Sequence, residues 1–146
     1  MEKLRNLLSK DAINRDLGLL IVRLGIGLTV AILHGYGKIT AGPERWERIG
    51  GAMKSLGIDF LPTFWGFMAG FAEFFCSIFL VLGIFFRPAA FLLAFTMFIA
   101  ALRHLGLPAD APNSGFSGAS HAIELMVVYV SLFYLGSGKF TVSSRL

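Results

Sequence analysis

The chain has 146 residues, of which 55% are hydrophobic and 15% are charged, and its mean hydropathy is +0.72. A soluble domain usually carries about 25% charged residues to wet its surface, so these values exclude a soluble monomer, a disordered chain and a nucleic-acid-binding protein. We attribute the net charge of +4 to cationic side chains at anionic lipid headgroups. The single cysteine, Cys76, excludes an internal disulfide and a redox-active cysteine pair.

Four segments are long and apolar enough to cross a bilayer, which needs roughly 20 helical residues. They cover about residues 17–35, 61–84, 87–105 and 120–137. Between the first two, residues 43–56 form an amphipathic pattern that is typical of a helix in the headgroup plane. Its apolar face consists of Trp46, Ile49, Met53 and Leu56. We therefore predict an all-α membrane protein, a four-helix transmembrane bundle with one interfacial helix, as a single domain over residues 1–146.

The ends of the chain indicate its orientation. Residues 1–10 are amphipathic, with leucines at 4, 7 and 8, and no small-x-small cleavage site follows them, so we expect the first span to be retained. With four spans, both termini and the hairpin between spans two and three lie on one side. That side carries seven Lys and Arg residues against five on the other. Because cytoplasmic segments are richer in Lys and Arg, both termini are predicted to be cytoplasmic.

Two ionisable residues lie deep inside the spans, where burial is expensive and marks functional sites. By helical rise, Arg23 is roughly 9 Å and Glu73 roughly 12 Å above the same membrane face. The similar depths predict a buried ion pair between Arg23 and Glu73, because pairing offsets much of the desolvation cost. Such a pair could serve function or simply specify the helix register.

A second group of ionisable residues lies toward the opposite membrane face, at the ends of three spans. It consists of His34, Lys38, Arg103, His104, His121 and Glu124. We predict that they form one polar pocket, able to bind an anion, shuttle protons or hydrogen-bond a quinone headgroup. For most of them the alternative is that they only anchor the helices at the membrane interface. Anchoring does not explain Glu124, because its carboxylate lies within an apolar span. Their spacing matches no recognised ligand set, so no metal site is predicted.

Short motifs follow one another along the chain. They are Arg23-Leu24-Gly25, His34-Gly35-Tyr36-Gly37-Lys38, Glu73-Phe74-Phe75-Cys76, Arg87-Pro88-Ala89-Ala90 and Gly136-Ser137-Gly138-Lys139. Their order and spacing resemble the DoxX family of small four-helix membrane proteins over nearly the whole chain. The segment Phe140-Thr141-Val142-Ser143 departs from the family's usual ending, so any role of a terminal aspartate is absent.

The resemblance implies an accessory subunit of a redox complex in the cytoplasmic (inner) membrane of a bacterium or archaeon. In such a complex, a partner performs the catalysis, and this chain is a non-catalytic subunit of a membrane oxidoreductase that offers a quinone site. We expect no intrinsic cofactor, and we expect lipid, other membrane or redox subunits, or further copies of the chain as partners. The alternatives are a small proton-coupled transporter with Glu73 and Glu124 as exchangeable carboxylates, and a purely structural subunit.

Overall fold

The computed structural model describes residues 13–142, and this part of the chain consists of helices and connections without a strand. The predicted amphipathic N-terminal segment lies outside the described residues. In chain order the helices are α1 (Arg15–Ile39), α2 (Pro43–Gly50), α3 (Pro62–Leu82), α4 (Phe86–Leu105) and α5 (Gly115–Leu135). All except α2 are long and apolar enough to cross a membrane, so the predicted four-span fold is confirmed.

The helices alternate in direction, which defines two faces of the bundle. We call the end with the start of α1 and the α3–α4 hairpin the termini face, and the opposite end the loop face. Asn14 caps α1, because its side chain accepts a hydrogen bond of 3.0 Å from the backbone N–H of Leu17. At the same end of the bundle, α3 ends before Gly83, whose φ of 75° is the left-handed conformation of a helix C-terminus.

Helix α5 begins at Gly115, earlier than the predicted residue 120. The glycines and serines of this stretch have weak helix propensity, which is why the sequence pattern favours a loop here. Tertiary packing outweighs that preference, since Ala119 is completely buried in the bundle core.

The amphipathic helix α2 continues as a 3₁₀ turn over Gly51–Leu56 and packs on α3. Small residues permit this contact, because a Cβ on Gly66 would collide with the backbone of Trp46. The indole Nε1 of Trp46 donates a hydrogen bond of 2.7 Å to the carbonyl of Lys38, and Met53 is buried. The predicted interfacial helix therefore covers the loop-face end of the bundle with its apolar side.

Two of the spans contain a π-helical segment, Val30–Gly35 in α1 and Ala72–Cys76 in α3. The two segments touch at Gly35, where a Cβ would lie 2.5 Å from the backbone nitrogen of Phe74 and 2.6 Å from the carbonyl oxygen of Glu73. Only glycine permits so close an approach of the two backbones. Because π-helical turns are frequent at functional sites, Glu73 is a candidate functional residue.

The chain after α5 is fastened to the termini face. The backbone N–H of Lys139 donates a hydrogen bond of 3.2 Å to the carboxylate of Asp16, and that of Val142 donates one of 2.9 Å to the carbonyl of Leu82. These bonds tie the segment after α5 to the ends of α1 and α3.

Candidate ligand-binding cavity

A cavity of about 390 Å³ lies among α2, α3 and α4 in the loop-face half of the bundle. Its wall is mostly apolar, with the rings of Phe64, Trp65 and Phe95 among the lining residues. Its polar lining consists of Lys38, Glu73, Thr96, Arg103 and His104. An apolar cavity of some 300–1,000 Å³ with a few convergent polar groups is the usual form of a small-molecule site.

An ion pair lies against this cavity. The ammonium of Lys38 donates to Oε1 of Glu73 at 2.5 Å, and the Glu73 side chain is only 2% exposed while that of Lys38 is 27% exposed. Side chains of a helix tilt toward its N-terminus, so Lys38 in α1 extends from the loop face toward the middle of the bundle. The other oxygen, Oε2 of Glu73, is buried and has no hydrogen-bond partner within residues 13–142.

Two further buried side chains near Glu73 lack hydrogen-bond partners among the described residues, Ser77 through its Oγ and Tyr129 through its OH. Both side chains are completely buried, and Tyr129 of α5 lies near Glu73 and Ser77 of α3. Buried polar atoms are nearly always hydrogen-bonded to protein or to ordered water. This cluster of polar atoms has unused capacity to bind a polar molecule.

His104 lies at the loop-face end of α4 and lines the cavity. Its Nδ1 is 2.8 Å from the carbonyl oxygen of Asn113. Because a carbonyl only accepts, this hydrogen bond assigns the proton to Nδ1, and the neutral ring then carries its lone pair on Nε2. The imidazole can therefore accept a hydrogen bond from a ligand hydroxyl through Nε2.

Beside the cavity is a cationic groove of about 380 Å³, which shares Arg103 and Ala52 with it. Arg48 and Lys54 also line this groove. No salt bridge joins these three cationic side chains to a carboxylate of the described residues. An anionic group would be attracted here.

The predicted pair of Arg23 with Glu73 is wrong, because the partner of Glu73 is Lys38. Arg23 is 1% exposed, and its guanidinium donates four hydrogen bonds of 2.7–2.8 Å to backbone carbonyls. Those carbonyls belong to Leu80, Val81, Ser137 and Phe140. Helical rise gave the depth of the Arg23 backbone but not the tilt of its side chain toward the helix N-terminus, which carries the guanidinium to the termini face.

The predicted six-residue pocket is divided in the structure. Lys38, Arg103 and His104 line the cavity. The other three residues, His34, His121 and Glu124, do not line it and are exposed on the outside of the bundle. The imidazoles of His34 and His121 contact each other there, with ring centroids 5.6 Å apart. Sequence spacing gave the depth of these residues but not their angle around the bundle, and the π-helical segment of α1 changes that angle further.

Sequence reasoning also missed part of the cavity region. Ser77 is four residues after Glu73 and therefore shares its helical face, which is a signal the sequence does contain. Thr96 of the cavity wall and Tyr129 carry no such signal, because their proximity to Glu73 depends on how α4 and α5 pack against α3.

The geometry defines a multi-pass helical membrane protein. One half of its bundle contains a mostly apolar cavity that a few polar side chains also line. The DoxX family model matches residues 18–105, which is more than half of the chain, so the protein belongs to the DoxX family. The match covers α2 to α4 and nearly all of α1, whereas α5 with Glu124 and Tyr129 lies beyond it. Comparison with curated proteins and with solved structures finds no significant match in either.

Proposed function

We propose that the cavity binds the headgroup of a lipid-soluble quinone, and that the protein serves as an accessory subunit of a membrane redox complex. The single observation that carries the proposal is the Lys38–Glu73 pair at a mostly apolar cavity, in which no described residue forms a hydrogen bond with Oε2 of Glu73. The redox setting follows the DoxX resemblance. The proposal assigns headgroup binding to this chain and electron transfer to a partner subunit.

The polar groups match both forms of such a ligand. A quinone carbonyl only accepts hydrogen bonds, and the ammonium of Lys38 can donate one to it. A quinol hydroxyl donates, and Oε2 of Glu73 and Nε2 of His104 are acceptors. The apolar wall with Phe64 and Trp65 suits the ring of the headgroup and the first part of its tail.

Two alternative functions draw less support from the same geometry. A proton-coupled transporter that exchanges protons between Glu73 and Glu124 needs both carboxylates on one path, yet Glu124 is exposed outside the cavity. A purely structural subunit gives no reason for a cavity beside buried polar atoms without partners, because those atoms cost stability. The cytoplasmic location of the termini stays a prediction.

Quenching of the intrinsic fluorescence of Trp65, which lines the cavity, provides the test. Purified protein in nanodiscs is titrated with a decyl-tailed benzoquinone and, separately, with decanol. We expect saturable quenching by the quinone alone. Lys38→Met and Glu73→Gln should each weaken binding at least about tenfold, since a hydrogen bond to a charged group contributes about 1.5–3 kcal/mol.

The matched control is Lys54→Met, which removes an ammonium from the neighbouring groove and not from the cavity; it should leave the affinity unchanged. Thermal unfolding of each variant separates loss of binding from loss of folding. Equal affinities for decanol and the quinone would contradict the proposal. Tighter binding of decyl phosphate than of the quinone would assign the site to anionic amphiphiles attracted by Arg48, Lys54 and Arg103.

A further inference from the structure

Helix α5 carries polar side chains along its outward face. Ser117, His121, Glu124 and Ser131 are all exposed, and their spacing of four, three and seven residues places them on one side of a helix. We call these four residues the α5 stripe. His34 of α1 extends it, because its ring contacts that of His121. The stripe lies within a helix that is long and apolar enough to cross the membrane.

The depth of Glu124 makes lipid an unsuitable neighbour for the stripe. Glu124 is nine residues after the start of α5 at Gly115, or roughly 14 Å along the helix axis. This distance reaches nearly the middle of a bilayer core of about 30 Å. Ionisable side chains at that depth almost always face a protein interior or a water-filled cavity. No salt bridge joins Glu124 or His121 to another described residue, so their binding capacity is directed outward.

We infer that the α5 stripe is the contact surface between two copies of this chain within the membrane. A dimer with its two-fold axis along the membrane normal brings the same surface of each copy together, at the same depth. The stripe is complementary to itself, since it carries an acceptor, Glu124, and a ring with a donor, His121, one turn away. Each copy's carboxylate then meets the imidazole of the other, and both pairs form at once.

The serines support a helix–helix contact at this face. Small residues let membrane helices approach closely, and Ser117 and Ser131 lie on either side of the Glu124 level. The hydroxyl of Ser131 already donates to the carbonyl of Val127 at 2.8 Å, so it can be buried between helices without an unsatisfied donor. This inference does not depend on the proposed function, because none of the stripe residues lines the cavity.

Disulfide cross-linking in native membranes tests the surface directly. In a Cys76→Ser background, Ser131→Cys should give a species of twice the monomer mass on oxidation. The matched control is Val130→Cys. Val130 is also exposed but lies about 100° around the helix from Ser131, so it should cross-link at least about tenfold less. Equal cross-linking at both positions would show random collision, and cross-linking of Ser131→Cys to a different protein would show another partner. Either result would overturn the inference.

A charge exchange tests the pairing. His121→Glu and Glu124→His each place like groups opposite one another, and each should weaken dimerisation in nanodiscs at least about tenfold. The double variant restores an acceptor and a donor to each copy and should recover the dimer. Thermal unfolding reports whether each variant remains folded. Folded single variants with unchanged dimerisation, or wild-type protein that is monomeric in nanodiscs, would refute the inferred interface.

Discussion

Two buried polar regions of this protein differ in how completely their hydrogen bonds are satisfied. Near the termini face, the guanidinium of Arg23 donates to four backbone carbonyls. In the middle of the bundle, Glu73, Ser77 and Tyr129 each keep a buried oxygen that forms no hydrogen bond with the part of the chain that the structure describes. A polar group with all its partners inside the fold stabilises that fold, whereas a buried group with spare capacity costs stability unless another molecule binds it. The first region is a structural clamp and the second is a candidate site.

The clamp explains why an arginine can be buried in a membrane span. The carbonyls of Leu80 and Val81 belong to the last turn of α3, where carbonyls lack the regular helical partners. That of Leu80 also accepts a hydrogen bond of 3.2 Å from the backbone N–H of Gly83. Those of Ser137 and Phe140 lie in the segment after α5. Arg23 therefore joins α1 to α3 and to the segment after α5. The ring centroid of Phe86 lies 5.7 Å from its guanidinium carbon.

The largest expected effect comes from removing the clamp. Arg23→Gln should lower the free energy of unfolding by about 3 kcal/mol or more, because at least two charge-assisted hydrogen bonds are lost. Equilibrium unfolding in mixed detergent micelles measures this loss. Arg87→Gln, which removes an exposed arginine near the same face, is the control and should change stability by less than about 0.5 kcal/mol.

A double-mutant cycle sharpens the comparison further. Since Arg23 and Glu73 have different partners, the effects of Arg23→Gln and Glu73→Gln on stability should add to within about 0.5 kcal/mol. A coupling above about 1 kcal/mol would reinstate the ion pair predicted from helix depth. Lys38→Met combined with Glu73→Gln should instead show coupling, because these two side chains are in direct contact.

An intermediate effect is expected where α1 and α3 touch beside Glu73. Gly35→Ala places a Cβ against the backbone of Glu73 and Phe74, and overpacking of this kind typically costs about 1–3 kcal/mol. Gly37→Ala is the matched control two residues away, since a Cβ there meets nothing within 4 Å. It should leave stability unchanged or raise it by up to about 1 kcal/mol, because alanine favours the helix more than glycine does. Thermal unfolding of both variants measures the difference. Equal stabilities would contradict the close contact between α1 and α3 at Gly35.

The smallest effect on stability is expected in the second region, whose buried polar atoms lack hydrogen-bond partners among the described residues. Tyr129→Phe removes a hydroxyl that lies near Ser77 but makes no hydrogen bond within 3.5 Å to a described residue, so stability in the absence of ligand should change by less than about 1 kcal/mol and in the stabilising direction. Differential scanning calorimetry of ligand-free protein measures this. A loss of more than about 2 kcal/mol would mean that the hydroxyl has a strong partner, and would remove the contrast between the two regions.

The apolar composition and the periodic patterns determined the membrane class, the four spans and the amphipathic helix over residues 43–56. These features depend on local properties, because a span must be long and apolar wherever it lies in the bundle. The same sequence also identified Arg23, Glu73 and Glu124 as ionisable residues that need an explanation. In the structure, Glu73 pairs with Lys38, Arg23 donates to backbone carbonyls, and Glu124 is exposed on the outside of the bundle.

Which partner each of these residues has was decided by the tertiary structure. Helical rise fixes the depth of a residue along the membrane normal, but the side-chain tilt and the rotation of each helix around its axis fix what it touches. The tilt brings Lys38, and not Arg23, to Glu73, and rotation places Glu124 outside the bundle while the cavity forms between α2, α3 and α4. The sequence pattern therefore predicts the depth of each residue in the membrane. Only the packing of the helices determines which other residues it contacts.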